Sequence, residues 1–216
     1  QLVLIGECAL AHVSILIPFA WAMAYIAVLA WGSMTPSLGM FIHHRCHGEV
    51  GTLALTYDDG PHPKHTPALL DLLRSADVKA TFFCIGRQVD AHPAIARRIV
   101  EEGHAIGIHT QDHRWNWGFL NKQQATQQIK HCAQAIQAAT GQTPVLFRPP
   151  FGVTSPGTAA AMAGQRVQPI GWDLRTFDTS SRSAQHVMRR IRRRLPAISI
   201  ILRTRKSDLR PRTPRQ

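Results

Sequence analysis

Two adjacent carboxylates in the middle of the chain could divide metal binding and proton transfer between them. Asp58 and Asp59 follow a short apolar run, and Gly60 and Pro61 come directly after them. Because neighbouring residues on an extended segment point in different directions, one carboxylate could bind a metal while the other acts as a base. An ordinary acidic turn is the alternative, since Asp-Gly is a common turn pair.

Two histidines further along the chain could complete such a metal site. His109 and His113 are four residues apart, which suits one metal ion if the chain curls after a strand. Together with Asp59 they offer two nitrogens and one oxygen and leave coordination positions open, as in catalytic sites. Zinc is the expected metal, and cobalt or nickel would also fit this donor set. A chance pair is the alternative, because the chain has 12 histidines.

A proline-rich turn carries the third group of candidate residues. Its sequence is Arg148-Pro149-Pro150-Phe151-Gly152. The prolines stiffen the backbone, so that a backbone N–H could be aimed at a reacting oxygen, and the arginine could grip a carboxylate with two hydrogen bonds. Taken alone, this segment could equally be an ordinary proline loop.

The three segments in series resemble the motifs of the NodB-type polysaccharide deacetylases, carbohydrate esterase family 4. The matching stretches are Thr-Tyr-Asp-Asp-Gly-Pro at 56–61, His-Thr-Gln-Asp-His at 109–113 and Arg-Pro-Pro-Phe-Gly at 148–152. The resemblance extends over about residues 51–202. It implies removal of N-acetyl groups from a glycan such as chitooligosaccharide, peptidoglycan or exopolysaccharide.

The resemblance also implies a role for each of these residues. Asp58 would be the catalytic base, Arg148 would orient it, and the backbone N–H of Phe151 would bind the oxyanion. The divalent metal would be held by Asp59, His109 and His113. We further expect substrate contacts from five residues: Trp115, Pro150, Gly152, Trp172 and Asp178.

Two later segments depart from the family pattern. Arg175 stands where the family has an acid, which changes the charge of the pocket. The family's last strand ends in a histidine that serves as general acid, but no histidine follows His186 here, and Thr204 falls near the expected position. We therefore expect either an altered C-terminus or a natural basic tail. A catalytically impaired protein that binds metal and glycan is the alternative function.

The elements around these residues alternate between strand and helix. Apolar and β-branched runs predict six strands, at 52–57, 79–85, 105–109, 145–148, 167–172 and 198–202. Helical patterns lie between them, which predicts an α/β fold with a parallel sheet, open or closed. The resemblance narrows this to a distorted (β/α) barrel, incomplete at its C-terminus. The candidate residues follow strands, where parallel α/β folds place their chemistry.

The two ends of the chain differ sharply from the middle. No charged residue occurs between Glu7 and Arg45, and residues 1–31 are long and apolar enough for a membrane anchor. A signal peptide and a buried helix are the alternatives. We expect a linker at 32–50, the catalytic domain at 51–202 and a disordered basic tail at 203–216. Arg45 favours a cytoplasmic domain, but an envelope glycan favours the outer face of a bacterial inner membrane.

The net charge of +12 does not indicate a nucleic-acid partner. Residues 182–216 contain 12 of the 25 Lys and Arg residues and a single acid, Asp208, so they account for +11 of the net charge. The rest of the chain is nearly neutral. We therefore expect a glycan substrate and a membrane contact, and no binding of nucleic acid. The oligomeric state cannot be read from these patterns.

Overall fold

The computed structural model describes residues 2–48, 52–176, 183–194 and 200–203. Seven strands in these ranges form one sheet, in which every neighbouring pair is parallel. They are β1 (Ala54–Gly60), β2 (Thr81–Cys84), β3 (Ala105–Ile108), β4 (Leu146–Phe147), β5 (Gln168–Pro169), β6 (Leu174–Arg175) and β7 (Ile200–Arg203).

The sheet curves into a barrel. Its strand order is β5-β4-β3-β2-β1-β7-β6, so β5 and β6 lie at opposite edges. Only residues 170–173 separate these two strands, and so few residues span at most about 17 Å. The edges must therefore approach each other, although no strand pairing joins them within the described ranges. The predicted α/β barrel is confirmed, with a seam between β5 and β6.

Helices precede and flank the sheet, and their ends follow local sequence signals. They are α1 (Leu2–Met34), α2 (His65–Ser75), α3 (Gly86–Ala91), α4 (Pro93–Glu101), α5 (Lys122–Thr140), α6 (Pro156–Met162) and α7 (Ala184–Arg194). Asn121 and Gln124 form a capping box at the start of α5, and Gly141 ends that helix at φ 74°. Proline occupies the first turn of α4 and of α6.

Four elements differ from the sequence-based expectation. β1 continues to Gly60, beyond the predicted end at residue 57. The predicted strand at 167–172 is reduced to Gln168–Pro169, since proline lacks an N–H for the ladder. Two short elements, α3 and β6, were not predicted, because six and two residues are too few to show a hydrophobic period.

The part of α1 from residue 16 to residue 34 extends from the domain and is largely exposed. Residues Leu16–Met34 of α1 are long and apolar enough to cross a membrane, and only 6% of that window is buried. Residues 35–48, which we predicted to be part of a linker, pack on the barrel. Arg45 pairs with Ile170 beside β5, and Cys46 is buried. This segment therefore lies against the seam of the barrel.

Candidate active site

An irregularity at the end of β1 brings both adjacent carboxylates to one side. The register between β1 and β2 shifts between Tyr57 and Gly60, and Asp59 has a φ of 67°. In a regular strand Asp58 and Asp59 would face opposite ways. The shifted register re-aims the chain, as bulges do beside active sites, so that Asp58 meets Arg148 while Asp59 meets two histidines.

Three ligating side chains converge at the carboxyl ends of β1 and β3. Asp59 Oδ1 lies 3.5 Å from His109 Nε2 and 3.3 Å from His113 Nε2. All three candidate ligand atoms lie within 4.8 Å of one another. Asp59 Oδ1 is buried, and no group in the described ranges donates a hydrogen bond to it. A buried carboxylate oxygen facing two imidazole nitrogens fits a divalent cation of the zinc type.

The tautomer of His109 is fixed in the form that can bind a metal. Its Nδ1 lies 2.7 Å from the backbone oxygen of Arg148. A carbonyl oxygen can only accept a hydrogen bond, so Nδ1 carries the proton. Nε2 is then left with its lone pair directed at Asp59. Hydrogen bonds of this kind orient the histidine ligands of metal sites.

The pKa values of the three groups reflect their close contact. Burial raises the pKa of Asp59, but the close contact and charge of His109, followed by the charge of His113, outweigh burial and lower this pKa overall. Burial lowers the pKa of His109, yet the charges of Asp58 and Asp59 raise it overall. Burial and the neighbouring His109 lower the pKa of His113.

Arg148 crosses the interior of the barrel and holds Asp58. Its side chain is fully buried, and Nη1 donates to Asp58 Oδ1 at 2.7 Å and to Thr56 Oγ1 at 2.9 Å. Nη2 donates to the backbone oxygen of Gly171 at 2.8 Å, and Nε donates to that of Ile170 at 3.2 Å. The guanidinium group is therefore held by β1 and by the segment that follows β5, and the carboxylate of Asp58 takes its position from it.

An aromatic ring completes the support of Arg148. The guanidinium carbon lies 4.1 Å from the centroid of the Phe83 ring on β2. A planar guanidinium stacks favourably on an aromatic face. Thr56 and Phe83 were not predicted as site residues. A threonine or phenylalanine in a strand looks the same in the sequence whether it holds a site residue in place or packs in the core.

The turn after β3 places His113 by a set of hydrogen bonds. Thr110 has a φ of 65° and His113 a φ of 49°, and Thr110 Oγ1 accepts from the backbone N–H of His113 at 3.2 Å. Gln128 on α5 accepts from the backbone N–H of Asp112 at 3.0 Å and donates to Asp112 Oδ2 at 2.8 Å. These bonds fix the curl that the four-residue histidine spacing requires.

Strained backbone is concentrated at the site. Among the described residues, five that are not glycine have positive φ, and all but Asp77 belong to the three candidate motifs: Asp59, Thr110, His113 and Phe151. Such conformations cost about 1–3 kcal/mol each and persist where surrounding contacts enforce them. The ring of Phe151 meets that of His113 edge-on, with centroids 4.7 Å apart. The proline-rich turn therefore borders the histidine pair directly.

The predicted substrate residues have different environments. Trp115 is 83% exposed, whereas its near neighbour Trp117 is buried and donates from Nε1 to the backbone oxygen of Val153 at 3.0 Å. Pro150 and Gly152 are buried in the turn. A methyl group on Gly152 would lie 2.2 Å from the ring of Trp172, so glycine is needed there. Asp178 and Thr204 lie outside the described residues.

Comparison with known proteins gives consistent matches over this part of the chain. The family model of polysaccharide deacetylases matches residues 47–169. The chain is 35% identical to a peptidoglycan-N-acetylglucosamine deacetylase of Bacillus cereus, over 62% of this chain and 49% of the relative. It is 32% identical to a chitooligosaccharide deacetylase of Azorhizobium caulinodans, over 70% of this chain and 72% of the relative.

A solved structure shares the fold. It is a carbohydrate esterase family 4 pseudoenzyme from Bacillus anthracis, with a TM-score of 0.69 and 27% identity, over 76% of this chain and 58% of that one. The match to the Bacillus cereus relative spans about half of that protein's length. The chain is thus similar in sequence to deacetylases and shares its fold with a protein described as a pseudoenzyme.

Proposed function

The chain belongs to the polysaccharide deacetylase family, and from this premise we propose that it is a metal-dependent hydrolase that removes N-acetyl groups from a glycan. Removal of acetyl groups is the activity named for its relatives, which include a peptidoglycan-N-acetylglucosamine deacetylase and a chitooligosaccharide deacetylase. Family membership alone does not ensure turnover, because a structural neighbour is a pseudoenzyme. The proposal therefore depends on the side chains of this chain.

The observation that carries the proposal is the separation of two neighbouring carboxylates into two environments. Asp59 faces His109 and His113, while Asp58 is bound to Arg148 at 2.7 Å. One carboxylate can thus hold a cation and the other can accept a proton within the same small space. A divalent cation at Asp59, His109 and His113 would polarise the acetyl carbonyl and lower the pKa of water.

The chain's own residues would then act as follows. Arg148 holds Oδ1 of Asp58, so Oδ2 is the oxygen that accepts a proton from the attacking water. The backbone N–H of Phe151, in the turn beside His113, would donate to the oxyanion that develops on the acetyl group. The products are acetate and a free amine on the sugar. Trp115, Trp172 and Asp178 remain proposed substrate contacts.

We also propose that α1 anchors the domain in a membrane, with the domain on the envelope side where N-acetylated glycans occur. Support comes from the junction between α1 and the barrel. The backbone N–H of Thr154 donates to the oxygen of Ser33 at 3.0 Å, and Met40 packs against Gly32. Cleavage of α1 as a signal peptide within this junction would remove contacts that the domain makes.

Acetate release from full-length protein in detergent tests the proposed activity. The substrates are N-acetylated chitooligosaccharides and peptidoglycan fragments, before and after treatment with a chelator and reloading with zinc or cobalt. We expect acetate that is lost with the metal and restored by it. Stoichiometric zinc binding without any acetate would instead establish the alternative, a protein that binds metal and glycan without turnover.

A further inference from the structure

An exposed apolar surface surrounds the point where α1 leaves the barrel. We define it as the collar, formed by Met34, Leu38, Met40, Trp115, Phe119 and Phe151. The most exposed members are Phe119 at 89% and Trp115 at 83%. Scattered apolar residues on a surface need no explanation, but six of them on segments that contact one another beside an apolar helix do.

Hydrogen bonds and packing connect the parts of the collar. The segment 150–154 is bound to the end of α1 by Thr154 and Ser33, and Met40 packs against Gly32. The loop that carries Trp115 and Phe119 is held against Val153 by Trp117. The three segments that carry the collar therefore meet around a single junction.

The same surface borders the candidate active site. Phe151 belongs to the collar, and its ring lies 4.7 Å from that of His113. Two residues lie between Phe151 and Thr154, so their Cα atoms are at most about 11 Å apart. The metal site therefore lies within roughly 20 Å of the residue where α1 leaves the domain.

We propose that the collar contacts the bilayer that α1 enters, and that this contact holds the active site at the membrane surface. The helix leaves the domain instead of packing along it, since only 6% of the Leu16–Met34 window is buried. The bilayer boundary must then fall beside the collar, where aromatic and aliphatic side chains favour the interface. A consequence that rests on the proposed function is that the substrate is a glycan held at the membrane surface.

Fluorescent probes on full-length protein in vesicles test the contact without needing activity. The vesicles contain phosphatidylcholine and phosphatidylglycerol, and Cys8→Ala removes a thiol in α1. A nitrobenzoxadiazole label is attached at Phe119→Cys in the collar and, as a matched control, at Leu72→Cys on α2. Leu72 is also an exposed apolar residue, at 63% exposure, but it belongs to the outer helical layer.

The two labels should respond oppositely to quenchers. We expect the label at position 119 to be blue-shifted, protected from aqueous iodide and quenched by lipids with a nitroxide near the headgroup. The label at position 72 should remain open to iodide. Equal iodide quenching at both positions would overturn the proposal. So would protection at position 119 that disappears on dilution with excess lipid, because that would identify a second protein copy as the occupant.

A comparison of two substrates tests the consequence for the glycan. The same N-acetylated oligosaccharide is offered free in solution or carried by a lipid in the protein's own vesicles. We expect kcat/KM to be about a hundredfold higher for the lipid-carried form, since confinement raises its effective concentration. Phe119→Ser should lower that rate and leave the rate on the free glycan unchanged. Equal kcat/KM for both forms would overturn the inference that the substrate is held at the membrane surface. Absence of acetate from both forms would overturn the proposed function. In that case the fluorescent probes would still decide whether the collar contacts the bilayer.

Discussion

Two groups of charged residues in the molecule have similar chemistry and opposite surroundings. Inside the barrel, Arg148 and Asp58 form a fully buried pair with a 2.7 Å contact. On the outside, Arg74 and Arg98 meet two carboxylates of the helical layer, Asp71 and Glu102, in a network that is partly exposed to solvent. The side chain of Arg148 is 0% exposed and that of Asp58 only 4%, so a lost partner in the inner pair is hard to replace. Solvent can replace a lost partner in the outer network.

The two groups therefore differ in function: the buried pair fixes the positions of its side chains, and neither group adds much to the stability of the fold. A buried pair gains little net stability, because desolvating two charges offsets their attraction. It does fix the direction of each side chain, since each charge has a single set of partners. The outer network gains little stability for a different reason, because water screens it. We therefore expect the inner pair to control chemistry and the outer network to contribute little to either chemistry or stability.

The largest effect should follow from breaking the inner pair. Arg148→Met would leave the carboxylate of Asp58 buried without a cation and lower the free energy of unfolding by about 3–5 kcal/mol. It would also release Asp58, and we expect kcat for acetate release to fall by about 10²–10⁴-fold. Urea denaturation and acetate assays measure the two effects.

The matched change in the outer network is Arg98→Met. A fall in stability equal to that of Arg148→Met would contradict the distinction between the two groups. So would an Arg148→Met protein that folds with its full rate of acetate release.

An intermediate effect is expected at the support of His113. Gln128→Leu removes both hydrogen bonds to Asp112 and so loosens the turn that carries this ligand. Supporting contacts of this kind typically change metal affinity by about 10–100-fold. Zinc titration with a competing chelator should show this loss, and Gln127→Leu, an exposed neighbour on the same helix, should not. Identical zinc affinities of the two variants would show that Gln128 does not support the candidate metal site.

The smallest effect is expected in the outer network itself. Arg98→Met should change the free energy of unfolding by about 1 kcal/mol or less and leave kcat and zinc affinity unchanged. The small difference should shrink further as salt is added, because screening weakens exposed ion pairs. A loss of several kcal/mol in urea denaturation would show that these helices depend on their charges.

The sequence predicts the elements whose signals are local. The bounds of α5 follow from signals next to each end of the helix, Asn121 and Gln124 at its start and Gly141 directly after it. The motifs at 56–61, 109–113 and 148–152 identify the candidate residues for the same reason. The general location of these residues follows as well, because parallel strands place their carboxyl ends together.

Other features depend on contacts between distant parts of the chain. The backbone oxygens of Ile170 and Gly171 hold Arg148 because β4 and β5 pair in one register, which no local pattern specifies. The bond between Gln128 and Asp112 joins a helix to a turn 16 residues away. The docking of residues 35–48 on the seam was missed because their glycine and proline content is typical of a linker.

The central claim is that two neighbouring carboxylates have separate roles, and one paired measurement tests it directly. Zinc content per chain and kcat for acetate release are measured on Asp58→Asn and Asp59→Asn. We predict that Asp58→Asn keeps its zinc and loses about 10²–10⁴-fold in kcat, while Asp59→Asn loses zinc and activity together. Loss of zinc from both variants, or full activity in Asp58→Asn, would contradict the account.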